Sequence, residues 1–455
     1  MSQINKTLRA RLHGVIPGGA HTYSRGDDQF PSNAPPLLER AVGCFAWGPS
    51  GDKFLDFGMG LRSVTLGYGE PSIVDAVIAA VKNGNNLTRA SRIELEAAEL
   101  FVDIIDSAEM VKFCKNGSNA TSAAIKLARG YTGRTLVARC IDHPFFSFDD
   151  WFIASTEMDL GTSGSDKKNT VKFKYNDLAS LQQLIDQYPN EIACVIMEPA
   201  ATHCPHPLDC ATCDTSCEHS AVNAPTDNFL SEVQALCQRA GILFILDEMI
   251  TGFRWHLKGA QHVFGISPDL TTFGKAMGNG VSIAAIAGKR EIMELGSIDR
   301  PGQERLFLLS STHGAEMTGM AAFLATVKYY QDHNVVSRLW RVGDRIKKII
   351  NEELKTFHLD KYFSVLGPSV QPYVLYKGAD ALENQSLRTL FAQELIENKI
   401  MMPWISPCIA HEGEALEILK ISLKPALARV AEGVTKNIND YIDGPLLRPV
   451  FRKYN

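Results

Sequence analysis

No stretch of this 455-residue sequence approaches the ~18 consecutive apolar residues of a membrane-spanning helix; pieces such as Val281–Ala287 fall far short. The opening Met1-Ser2-Gln3-Ile4-Asn5-Lys6 lacks the apolar core of a secretory signal. Neither sign of charge dominates: 46 Lys and Arg against 51 Asp and Glu leave a net charge of -5, with no basic footprint for nucleic acid or anionic lipid. Internal repeats and low-complexity tracts are also missing. A composition of 45% hydrophobic and 21% charged residues excludes disorder, collagen and coiled coil, and is rich enough for a large packed core. The expectation is a soluble, cytoplasmic globular protein with neither nucleic-acid nor membrane partners.

The pattern along the chain divides it. Up to about Tyr68 the sequence is rich in Gly and Pro, with strand-like pieces Cys44–Trp47 and Lys53–Phe57 around a turn at Pro49–Asp52. Ile73, Val74, Val77, Ile78 and Val81 then recur at helical spacing, and Leu95, Ala98, Val102 and Ile105 mark a second helix. Strand and helix alternate next: Met110–Cys114, Ala120–Tyr131, Thr135–Ile141, Ala179–Tyr188, Ile192–Met197, Leu230–Ala240 and Ile242–Leu246. The strands are apolar on both faces, as in a parallel sheet covered by helices. Beyond about Gly319 the pattern is helical, through Leu339–Leu354, Leu387–Leu395 and a closing Val434–Ile442. The expected fold class is α/β: a large domain over 70–320 with a mainly parallel central sheet, and a smaller α+β domain made from 1–69 and 321–455.

In such a sheet, ligands bind beyond the carboxyl ends of the strands. Asp247 follows one strand there; alone it reads equally as the partner of Arg254 in a structural salt bridge. Lys275 lies in Gly274-Lys275-Ala276-Met277-Gly278-Asn279-Gly280, where a confined amine can attack a carbonyl; alone it reads as a surface lysine. Those glycines are spaced G-x-x-x-G-x-G, which is not a dinucleotide fingerprint. Lys115-Asn116-Gly117-Ser118-Asn119-Ala120 joins a strand to a helix, and its amides with the Ser118 hydroxyl suit a phosphate; alone it reads as an ordinary loop with a polar cap. Together, a phosphate cradle, a carboxylate and a lysine meet the needs of pyridoxal 5'-phosphate (PLP): an anchor, a partner for the ring nitrogen, and an amine for the aldehyde.

The sequence resembles the class III aminotransferases of fold type I, most closely the glutamate-1-semialdehyde aminomutase branch. The resemblance rests on Pro17-Gly18-Gly19, KNGSNATSAAIKLARGYTG (115–133), Met197-Glu198-Pro199, DEMITGFR (247–254) and PDLTTFGKAMGNG (268–280), and runs over nearly the whole chain. It implies that Lys275 binds the cofactor and that Asp247 meets its pyridine nitrogen. Gly117 and Ser118 would hold the phosphate, and Met249 and Phe145 would pack on the two ring faces. Thr312 resembles the threonine that a second subunit adds to the phosphate, which implies an obligatory homodimer with shared active sites. Arg25 matches an arginine that meets a substrate carboxylate.

Two departures bear on the substrate. Asn119 replaces a glutamate common after the cradle, and Phe145-Phe146-Ser147 stands where the family usually has Tyr-His-Gly. They sit at the substrate face, and the segments NGSNATSAAIKLARGYTG (116–133) and SRGDDQFP (24–31) resemble those of sugar aminotransferases of lipopolysaccharide and other surface-polysaccharide pathways. That resemblance implies an amino group moved from glutamate to an oxo-sugar or similar carbonyl acceptor, such as 8-oxo-3-deoxy-manno-octulosonate, to give 8-amino-3,8-dideoxy-manno-octulosonate. The alternative is a glutamate-1-semialdehyde 2,1-aminomutase.

Ten cysteines are present, and a disulfide framework is not expected without an export signal. Four are crowded as C-x5-C-x2-C-x3-C: Cys204, Cys210, Cys213 and Cys217, in an insertion over 200–222 where the family resemblance fails. Four thiolates can hold a structural zinc, with His203, His206 and His219 as spare donors, or less readily an iron–sulfur cluster. A Pro-rich surface loop with reduced thiols fits equally. A metal-dependent interaction protein without catalysis is the alternative of another class, and it gives Lys275 and Asp247 no purpose.

Overall fold

The structure, a computed structural model, describes residues 3–201, 204–205 and 227–454. The chain forms two compact units, Met1–Glu70 with Ser337–Arg452 and Pro71–Val336 with Lys453–Asn455.

In the first unit, β1 (Arg40–Val42), β2 (Phe45–Trp47) and β3 (Lys53–Asp56) pair antiparallel in sequence order. After β3 the chain makes a left-handed turn in which Met59, Gly60, Leu61 and Arg62 all have φ between 42° and 68°. Such backbone is costly for side-chain-bearing residues, and Asp56 helps hold it by accepting the Gly58 amide at 2.7 Å and the Tyr68 hydroxyl at 2.7 Å.

The second unit is built on a seven-stranded sheet. Its members are β4 (Met110–Cys114), β5 (Leu136–Cys140), β6 (Thr170–Phe173), β7 (Ile192–Met197), β8 (Leu243–Glu248), β9 (Leu270–Phe273) and β10 (Ala284–Gly288). Their spatial order is β4-β10-β9-β8-β7-β5-β6. All neighbours are parallel except at β10, which runs against both β4 and β9. Because β10 is inverted between them, β4 and β9 still point the same way, and the carboxyl ends of β4, β8 and β9 share one edge of the sheet. Every residue of β7 and β8 is buried, which accounts for the apolar run of β7 and of β8 up to Leu246; Asp247 and Glu248 end β8 as buried acids. The helices Gly117–Thr132 and Phe229–Ala240 pack on the sheet, and Met317–His333 packs on Pro71–Lys82 and Arg92–Ile104.

The first unit is completed by the hairpin β11 (Phe363–Leu366) and β12 (Tyr373–Tyr376), and by β13 (Ile400–Met401), which joins β3 in parallel. Its core draws on Phe57, Ile346, Leu390, Phe391, Leu419 and Leu427.

Four expectations need correction. The sheet-bearing unit extends to Val336, not 320, because the helix Met317–His333 buries Met317, Met320, Ala321 and Phe323 within it. The helix Arg92–Ile104 buries Ala97, Phe101 and Ile104, while Leu95 is exposed, so the expected face was off by roughly one residue. In Pro71–Lys82, Val74, Ile78 and Val81 are exposed, and Ile73 and Ala80 carry the buried side. The last long helix is Glu414–Thr435, which runs through Pro425; beyond the Pro, Leu427 and Val430 are still buried, and their packing holds the helix on. Only a short turn, Ile438–Tyr441, stands where a closing helix was expected. Among the described residues, no helix is long and apolar enough to cross a membrane.

Candidate active site

Three strand ends meet at one sheet edge. At the end of β4, Asn116 caps the helix Gly117–Thr132 by accepting the Asn119 amide at 2.9 Å. The helix start offers its amides and positive dipole end to an anion. Ser118 is buried there, and its Oγ accepts the Phe148 amide at 3.0 Å.

At the end of β8, Asp247 is only 2% exposed and stands in register with Thr272 of β9. Its Oδ1 accepts the Thr272 hydroxyl at 2.9 Å and the Met249 amide at 3.0 Å. Burial pushes its carboxyl up to about 6, and the charge of Lys275 is the strongest opposing influence. Lys275 follows β9 after Gly274 and has φ 42°, an uncommon conformation for a lysine and one met at functional positions.

Met249 ties the three ends together. A Cβ on Gly117 would lie 2.9 Å from its Sδ, and a Cβ on Gly274 would lie 2.7 Å from the same atom. Glycine on either side lets the thioether sit where it does between the helix start and the lysine turn; a larger residue would push the Met249 side chain aside. The structure thus brings Gly117, Ser118, Asp247, Met249 and Lys275 to one place. A phosphate cradle, a buried carboxylate able to face a ring nitrogen, and a lysine beside it fit PLP.

Of the other expected residues, Phe145, Thr312 and Arg25 are exposed. Phe145 is 49% exposed and meets Phe152 edge-on at 5.7 Å. Its loop is nonetheless fastened to the cradle helix, since the Phe146 carbonyl accepts the Thr121 hydroxyl at 2.8 Å. Thr312 is exposed, and its carbonyl accepts Asn86 Nδ2 at 3.0 Å. Arg25 is exposed on the short turn Tyr23–Arg25 of the other unit. Cys204 is buried, whereas Cys210, Cys213, Cys217, His203, His206 and His219 lie outside the described residues.

Comparison with known proteins decides the family. Residues 25–361 match the family Aminotransferase class-III. The chain belongs to the class-III aminotransferases. A glutamate-1-semialdehyde 2,1-aminomutase of Nitrosospira multiformis is 33% identical over 340 residues, which cover 72% of this chain and 74% of that one. The FumI protein of Sphingopyxis sp. MTA144, solved in its PLP internal aldimine form, superposes with a TM-score of 0.82 at 23% identity, covering 96% of this chain and 98% of that one. An omega-transaminase from Sphaerobacter thermophilus gives a TM-score of 0.78 at 23% identity, over 94% and 98% of the two chains. This aminotransferase is PLP-dependent and has the fold-type-I architecture. Membership removes the reading of a non-catalytic interaction protein.

Two buried residues that brace the strand ends and loops around these groups are not singled out by the sequence. Glu248, fully buried, accepts the Thr251 hydroxyl at 2.5 Å and the amides of Ala260 and Gln261 at 2.9 and 2.7 Å. It clasps the loop that follows Met249, and burial pushes its carboxyl up to about 7. The signal was the pair of adjacent acids at a strand end, which must point to opposite faces. His143, buried below the Phe145 loop, accepts the Glu198 amide at Nδ1 at 3.0 Å; burial pushes it down to about 3, so the ring is neutral.

Proposed function

We propose that this enzyme moves an amino group from glutamate to the carbonyl carbon of an oxo-sugar acid, 8-oxo-3-deoxy-manno-octulosonate being the specific acceptor. PLP supplies an electrophilic aldehyde and an electron-withdrawing ring. The remaining work falls to the chain. Lys275 would hold the cofactor through its Nζ and, once displaced by the donor amine, would carry the proton removed from the donor's amino-bearing carbon to the cofactor's exocyclic carbon, so that the amino group stays behind. Asp247 keeps the ring nitrogen protonated, and Met249 and Phe145 pack on the ring faces. Gly117, Ser118 and the helix amides hold the phosphate, joined by Thr312 of the second subunit in a homodimer. Arg25 meets a substrate carboxylate.

The placement of Met249 between Gly117 and Gly274, with Asp247 and Lys275 alongside, is the observation that supports the roles of Gly117, Asp247, Met249 and Lys275. Asn119 and Phe145-Phe146-Ser147 depart from the aminomutase pattern, and support for a sugar acceptor comes from the resemblance of segments 24–31 and 116–133 to sugar aminotransferases. The relative from Nitrosospira multiformis favours a second reading, isomerisation of glutamate 1-semialdehyde. Incubation with glutamate alone separates the two. The aminotransferase releases 2-oxoglutarate while the visible absorption of the bound cofactor is lost. The aminated form is then offered a panel of oxo-sugars and oxo-acids, and regained absorption reports the acceptor. No reaction with glutamate rejects the proposal.

A further inference from the structure

Lys115 immediately precedes the capping Asn116, yet its side chain turns away to pair with Glu316 at the start of the helix Met317–His333. The two side chains are 21% and 20% exposed, so water screens the pair only partly. Glu316 is the N-cap residue of its helix, where the dipole also favours negative charge. Burial opposes its ionisation, but Lys115, with smaller help from Thr318 and His313, keeps Glu316 below the usual carboxylate range.

Other contacts brace the same corner. Ser282, on the loop that follows Lys275, donates its hydroxyl to the Lys115 carbonyl at 2.6 Å. A Cβ on Gly319, in the first turn of the helix, would lie 2.8 Å from the Ser282 carbonyl. The Asn85 carbonyl accepts the Met317 amide at 2.7 Å, and Asn85 Oδ1 accepts the Thr318 amide at 3.0 Å. The end of β4, the lysine loop and the helix start are therefore fastened to one another, and the ion pair is a charged link among them, with His313 Nδ1 also 3.8 Å from Glu316.

We infer that the Lys115–Glu316 ion pair is a positioning device for the phosphate cradle, holding residues 116–118 in the posture that receives the cofactor phosphate. The inference rests on the PLP roles proposed above. It makes Glu316, which has no place in the cradle, a determinant of how long the phosphate stays. Lys115 spends its charge on Glu316 and not on the phosphate. Thr312 lies four residues before Glu316, so the same link steadies the segment that bears it.

The full chain, stripped of cofactor, is titrated with PLP and separately with pyridoxal, which lacks the phosphate. Affinity and release are followed by visible absorption. Glu316→Gln and Lys115→Met should each release PLP roughly three- to tenfold faster, the scale of a half-buried charge-assisted bond. Pyridoxal affinity should not change, and the reversed pair Lys115→Glu with Glu316→Lys should recover most of the PLP affinity. Unchanged PLP release, equal weakening of both ligands, or a reversed pair that stays weak each overturns the inference. So does tighter PLP binding in Glu316→Gln, because a released Lys115 would then be serving the phosphate directly. A wild-type chain that does not distinguish PLP from pyridoxal overturns the cradle assignment instead.

Discussion

Thr272 donates its hydroxyl to Asp247 Oδ1 over 2.9 Å, and the two residues face each other in the parallel register of β8 and β9. The bond fixes the carboxylate from the strand that leads into Lys275. Acid and amine therefore inherit their relative placement from the backbone ladder, with little left to side-chain chance.

The first prediction concerns stability and pH. In the cofactor-free chain Asp247 is raised from 3.8 to about 6, so the folded state holds its proton more tightly than the unfolded state. Its favourable contribution is complete below 3.8 and is lost as pH rises through about 6, a change of up to about 3 kcal/mol. Asp247→Asn keeps an acceptor at Oδ1 without the buried charge. The cofactor-free variant should melt above wild type at pH 8 and together with it at pH 4. Equal melting at both values would show that the carboxyl is not raised.

Replacing Lys275 by Ala should abolish the visible band of lysine-bound cofactor in the reconstituted enzyme and slow turnover by about 100-fold or more. Absorption spectra before and after adding PLP read the first effect, and persistence of the band would assign the cofactor to another amine.

Gly117→Ala drives a methyl group against the Met249 sulfur. Crowding of this kind typically costs about 1–3 kcal/mol. Gly117→Ala should lower the melting temperature clearly less in a Met249→Ala background than in the wild type. If it does not, the contact at 2.9 Å is not the cause.

Glu248→Gln turns one accepting oxygen into an NH2 group that faces a hydroxyl or an amide already donating. A cost of about 1–3 kcal/mol is expected from denaturant titration. Thr251→Ala should cost less, because the carboxylate keeps the Ala260 and Gln261 amides.

Much of this was legible in the sequence, for identifiable reasons. Ile192–Met197 is a strand with those same bounds, because a strand buried on both faces has no polar residue to blur its edges. Asp247, Lys275 and Gly117 could be read because each sits at an element end, where the punctuation of Gly and polar residues is strongest. Which side of Arg92–Ile104 is buried was harder, since its apolar residues cover more than one face and the partner helices choose between them. Glu414–Thr435 was obscured by Pro425, a local veto that tertiary packing overrides. The Lys115–Glu316 pair spans 201 positions and leaves no local trace at all.

The inverted strand β10 has a consequence for how this active site can change. Because β9 and β10 are adjacent and antiparallel, the segment carrying Lys275 is a hairpin connection, anchored at both ends by hydrogen-bonded neighbours. Lengthening or shortening it would displace one strand of the sheet. Asn119 and Phe145-Phe146-Ser147 hang instead from a helix start and a loop, where an exchange of side chain leaves the ladder intact. New acceptors can thus be accommodated by rewriting the periphery, while the segment bearing Lys275 remains a fixture of the sheet.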